Sequence, residues 1–139
     1  MRHFLPCTML ALALLPAWAI ADESAAIEKA TTVAGAWLEE IDAGKYAEAW
    51  DQAAPIVQTA VTKPDWEKAL KVARTPLGSL KSRKLKTASF TKTLPGAPDG
   101  EYVVIQYETA FENKASAIET VTPALDKDGK WQVSGYYIK

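Results

Sequence analysis

The stretch Pro95–Thr122, PGAPDGEYVVIQYETAFENKASAIETVT, constrains the fold more than any other part of the chain. Val103, Ile105, Tyr107, Thr109 and Phe111 alternate with Tyr102, Val104, Gln106, Glu108 and Ala110. That period of two belongs to a strand with one face in a core and one face mixed. Pro98-Asp99-Gly100 carries turn chemistry ahead of it, and the polar Glu112-Asn113-Lys114-Ala115 is short enough to reverse the chain into a second strand, Ser116–Leu125. An antiparallel hairpin is therefore expected, and the rest of the chain has to supply the layer that covers its apolar face.

Helical patterns come before this hairpin. Ile27, Ala30, Ala34, Trp37, Leu38 and Ile41 form one stripe of a helix over Ser24–Ala43, with Gly44 placed as its left-handed cap. Tyr46 and Trp50 share a face of a short helix over Lys45–Ala53, and Pro55 suits the first turn of a segment over Ile56–Val61. Thr62-Lys63-Pro64-Asp65 predicts a capped helix from Lys63 to about Arg74, stopped by Pro76 and Gly78. Ser79–Thr93 reads as an extended, lysine-bearing segment with a bulge or an edge position, and Lys130–Lys139 alternates as a last strand after the turn Asp126-Lys127-Asp128-Gly129. Three or four helices followed by four meandering strands give an α+β domain with the helices on one face of an antiparallel sheet.

The first residues read as an address. Arg2 and His3 precede an apolar run from Met9 to Leu15, and Ala19-Ile20-Ala21 has the small-x-small form of a cleavage site. The expected product is a single domain, residues 22–139, in the periplasm or medium. Pro16 interrupts a run well short of the ~20 apolar residues that span a bilayer, so a transmembrane anchor is not expected. Cleavage would remove Cys7 and His3, the chain's one cysteine and one histidine. No Ser-His-Asp triad, cysteine nucleophile, disulfide or His/Cys zinc site can then be built from one chain, and no cofactor motif is present. Acid-base work would fall to Asp, Glu, Lys or Tyr.

Charge is segregated rather than extreme. Asp22–Thr62 carries eight acids and two lysines, Lys63–Lys92 nine bases and two acids, and residues 93–139 seven acids and four bases. The acidic first helices and the basic middle can neutralise each other within one fold. A nucleic-acid partner is not expected, because the net charge is negative and the basic segment lacks interleaved stacking aromatics.

The motifs DAGKYAEAW (42–50), RTPLGSLKSRKL (74–85), LPGAPDGEYVVIQYETAFENKASAIETVT (94–122) and DGKWQVSGYYIK (128–139) resemble a bacterial family known as domain of unknown function 4019. The resemblance implies a small exported α+β domain with a curved sheet, similar to the nuclear-transport-factor-2-like or cystatin-like folds. It implies no reaction, ligand or site residue.

Candidate sites follow from the residues alone. Glu119 is the acid in the second hairpin strand. If Thr109 lies opposite it, it points to the core side; if Glu108 does, two carboxylates meet on the outer side. Its structural reading is pairing with Arg83 or Tyr136, and its functional reading is a carboxylate in a pocket, with Tyr107, Tyr136 and Trp131 among the aromatics lining it. Arg74 and Arg83 flank Pro76-Leu77-Gly78 and are placed to converge on one anion, or to pair with the acidic first helices. Three functions remain open: an exported non-catalytic module binding a small apolar ligand or an extended protein partner, a structural or homodimerising envelope protein, and an acid-base enzyme using Glu119 and a tyrosine.

Overall fold

The computed structural model describes residues 17–139. Its elements are α1 (Ala17–Asp42), α2 (Tyr46–Gln52), α3 (Pro55–Ala60), α4 (Lys63–Arg74), a 3-10 turn (Thr75–Leu77), and strands β1 (Leu80–Thr91), β2 (Tyr102–Phe111), β3 (Lys114–Leu125) and β4 (Trp131–Ile138). The strands form one antiparallel sheet in the order β1-β2-β3-β4. Four helices packed with an open four-stranded sheet make an α+β fold.

The helix signals act locally as their chemistry requires. At the end of α1, Gly44 takes φ 77° and the Lys45 amide closes on the Glu40 carbonyl at 2.9 Å, so the orphan carbonyls of the last turn are satisfied. The Thr62 side chain accepts from the Asp65 amide and caps α4. α1 is helical ahead of Ser24, throughout the described residues from Ala17, because nothing between Ala17 and Ser24 breaks a helix. The expected leader at residues 1–21 lies outside the described residues up to position 16, and from Ala17 its backbone continues α1.

The hairpin departs from expectation in an instructive way. Its turn is only Glu112-Asn113, so β3 starts at Lys114 opposite Phe111. Continued unbroken, that pairing would place Glu119 opposite Gln106 and turn it to the outer face. An irregularity between Thr109 and Phe111 adds one residue, and from there Thr109 faces Ala117 and Tyr107 faces Glu119. Neither register considered from the sequence occurs, yet Glu119 reaches the core face. Pro123, which cannot donate to a ladder, sits at a second shift, between Thr122 and Pro123 in the β3–β4 pairing. β1, expected to carry a bulge or lie at an edge, does both: it is an edge strand with register shifts between Leu80 and Ser82 and between Leu85 and Thr87.

The core lies between α1 and the inner sheet face. Ala30, Ala34, Trp37, Leu38 and Ile41 are buried with Val103, Ile105, Val121 and Val133. Trp37, 2% exposed, meets Trp66 edge-on at 6.0 Å and Tyr136 at 5.2 Å between centroids, and donates to the Ala49 carbonyl at 3.0 Å. Trp66 donates to the Tyr46 carbonyl at 2.9 Å. The two indoles thereby fix α2 and α4 to α1. Phe111 is buried on the same sheet face but lies outside that cluster, beneath the Arg74 guanidinium at 4.8 Å.

A buried ion network beside an apolar groove

Six elements each bring one polar side chain to one point: Asp42 from the last turn of α1, Arg74 from the last turn of α4, Arg83 from β1, Thr109 from β2, Glu119 from β3 and Tyr136 from β4. The register explains the convergence. Arg83 lies opposite Thr109, Tyr107 opposite Glu119, and Val121, two residues from Glu119, opposite Tyr136. The C-terminal ends of α1 and α4 then supply Asp42 and Arg74 from above.

Arg83 is the hub. It grips Asp42 with both ends of its fork, Nη1 to Oδ2 at 2.7 Å and Nη2 to Oδ1 at 2.9 Å. It also donates to Glu119, Nε to Oε1 at 2.8 Å and Nη2 to Oε2 at 3.2 Å. Glu119, 0% exposed, further accepts from the Thr109 hydroxyl on Oε1 at 2.6 Å and from the Tyr136 hydroxyl on Oε2. Arg74 donates Nη2 to Asp42 Oδ1 at 2.9 Å, while its Nε and Nη1 are buried without a partner and its cation rests on the Phe111 ring. Two guanidinium cations and two carboxylates balance, which is the condition for burying four charges together.

The electrostatics follow from that geometry. Burial works against the Asp42 carboxylate, but bonds and charge from Arg83 and Arg74 outweigh it and hold its pKa below the usual carboxylate value. Burial likewise works against the Arg83 cation, and Asp42 and Glu119 more than reverse that effect. Tyr136 is pushed far above an ordinary phenol, first by burial and then by the Glu119 charge and the hydrogen bond to it. Tyr107 is raised too, by burial, with Arg83 lowering and Glu119 raising it.

Of the residues singled out in the sequence, Glu119, Arg74, Arg83 and Tyr136 come together, and Tyr107 stands beside them in the core. Trp131 does not; it pairs with Leu125 at the far end of the β3–β4 ladder. Of the two readings for Arg74 and Arg83, pairing with the acidic first helix is the one that occurs, both guanidinium groups bonding the carboxylate of Asp42 at the end of α1. Asp42 itself was missed, although an acid in the last turn of a helix opposes the macrodipole and signals a nearby cation. Among the described residues no group of His, Cys, Asp or Glu is arranged to hold a metal ion, and no helix is long and apolar enough to cross a membrane.

Tyr136 has a second environment. Its ring lines a groove of about 560 Å³ between α4 and β4, walled by Trp66, Leu70 and Leu77 and by the exposed Ala69 and Ala73, with Ile138 across from them. The charged residues lining this groove are Lys114 and Lys139. The groove is thus apolar in its walls, cationic at its edge, and joined through one phenol to the buried network.

No curated protein and no solved structure matches the chain. A family match extends over residues 33–136 and takes in all six network residues, from Asp42 to Tyr136. The chain belongs to the family described as Protein of unknown function (DUF4019).

Proposed function

We propose that the domain is an exported, non-catalytic binding module whose ligand site is the groove between α4 and β4. The observation that carries this reading is the groove itself, an open trough with aromatic and aliphatic walls of the size that ligand sites commonly have. The enzyme reading loses support from the bonding of Glu119: both carboxylate oxygens are engaged, by Arg83, Thr109 and Tyr136, and the side chain is sealed from solvent. Export is supported by Arg2, the Met9–Leu15 run and Ala19-Ile20-Ala21. Intact-mass analysis of secreted protein should give a chain beginning at Asp22, and a mass retaining Cys7 would refute that.

The groove is tested with anilinonaphthalene sulfonate, an apolar dye bearing one anion. The native protein should enhance its fluorescence, and Ala73→Trp, which fills the trough from an exposed helix position, should abolish the enhancement without lowering the melting temperature. Equal enhancement by wild type and Ala73→Trp would reject the groove as the site.

A second reading, association between copies, is favoured by one observation. The outer sheet face presents Val104, Ala110 and Ile118, none of them buried, and Tyr137 is 58% exposed there. Light scattering decides it, a monomer at micromolar concentration being the result that rejects it.

A further inference from the structure

Resting on the reading of the α4–β4 groove as the ligand site, we propose that its occupant is an extended peptide segment of a partner protein, added as a fifth strand at Tyr136–Ile138, with alternate apolar side chains in the groove and acidic residues beside Lys114 and Lys139.

The sheet has two edges, and they are built differently. β1 carries exposed Lys81, Lys84 and Lys86 and is broken by two register shifts, the devices that keep an edge from pairing. β4, from Trp131 to Ile138, carries no charged residue. Its first half is closed by the residue that precedes α3, since the Ala54 amide donates to the Val133 carbonyl at 2.8 Å. Among the described residues its second half has no such cover. The Lys139 amide and carbonyl both bond Ile118, at 2.9 Å each, and Tyr137 lies opposite Thr120. Alternation along an antiparallel ladder then turns the amides and carbonyls of Tyr136 and Ile138 away from β3, toward the open edge. These same residues point their side chains to the inner face, where they wall the groove.

That coincidence selects the occupant. A strand paired to Tyr136 and Ile138 would set the residues opposite them on the same inner face, over the apolar trough, so backbone bonds and side-chain pockets would be engaged together. A compact apolar ligand would leave the backbone groups of the edge unused. The lining side chains include two lysines and no carboxylate, and the neighbouring Arg74 and Arg83 are already neutralised by Asp42 and Glu119. The free charge at the groove is therefore positive, and complementary flanking residues are Glu or Asp.

The probe is a fluorescein-labelled heptapeptide with valines at alternate positions, threonines between them and a pair of glutamates at one end, read by anisotropy. The glutamate peptide should bind at least about tenfold more tightly than its lysine counterpart. Lys114→Glu combined with Lys139→Glu should reverse that order. For a strand added antiparallel to β4, N-methylation of the valines, whose amides then face β4 when their side chains face the groove, should abolish binding and N-methylation of the threonines should leave it intact; the reverse pattern would mark parallel addition. Equal binding of both N-methylated peptides while the dye still reports the groove would overturn strand addition and leave the groove standing. Loss of both dye and peptide binding would remove both. A peptide-free homodimer that Ile138→Pro dissociates would assign the edge to a second copy and overturn the proposal.

Discussion

Replacing Glu119 by glutamine keeps the shape of the side chain and removes the charge that Arg83 faces. The guanidinium would retain Asp42 but lose half of its compensation in a largely buried site, and an amide NH₂ would be set against donors. Breaking a buried pair from one side costs about 3–5 kcal/mol, so Glu119→Gln should melt well below the wild type at neutral pH, and an unchanged melting temperature would contradict the network. Asp42 sets the acid limb. Its folded pKa lies below its unfolded value, so the unfolded chain binds more protons in acid; the contribution is complete above about pH 4 and is lost as pH falls through the folded value. Asp42→Asn should flatten that part of the stability-versus-pH curve, as urea melts across the range would report. Tyr136 acts in the opposite limb: its raised pKa means that Tyr136→Phe should remove no phenolate from the native absorbance titration near pH 10. The Glu119 pairing was legible because an acid within an apolar strand needs partners, and the sequence offered Arg83 and Tyr136. Asp42 was legible only as a last-turn acid in need of some cation; which cations, thirty-two and forty-one residues away, no local pattern identifies.

The elements follow from local chemistry more closely than their pairing does. α4 runs from Lys63 to Arg74 as its cap and its proline and glycine stops dictate, whereas the β2–β3 register depends on a two-residue turn and one irregularity that the hydrophobic alternation cannot locate. Two glycines differ in conformation and in contact, since Gly78 also has ψ −159°, a region essentially closed to any residue with a Cβ. Gly44 and Gly78 both adopt positive φ, 77° and 76°, but a Cβ at Gly44 meets nothing within 4 Å, while at Gly78 it would lie 2.9 Å from the Glu112 Cβ. Gly44→Ala should therefore cost about 1–2 kcal/mol, the penalty of the left-handed conformation alone. Gly78→Ala should cost more, because the 3-10 turn is held against the hairpin by the Asn113 amide on the Leu77 carbonyl at 2.8 Å and cannot back away freely. Equal melting temperatures for the two variants would mean that the hairpin tip yields without cost.

For the whole molecule, the network joins the helix layer to every strand, so its members should behave as one unit. The covering of the sheet by helices was foreseeable from the apolar stripe of α1; the choice of a polar cluster at one end of that contact was not, because amphipathic patterns specify which faces meet and not where charges are buried. Arg83→Met leaves two carboxylates sharing the single cation of Arg74, and Glu119→Leu leaves Arg83 with Asp42 alone, so each should be destabilising by about 3–5 kcal/mol. The double variant replaces one whole ion pair by apolar volume and restores charge balance between Asp42 and Arg74, which remain bonded at 2.9 Å. It should be less damaged than the sum of the two, with a coupling energy above about 1 kcal/mol in a urea double-mutant cycle. Strict additivity would show that the salt bridges are independent contacts, and that the convergence of six elements on Arg83 contributes nothing beyond its separate hydrogen bonds.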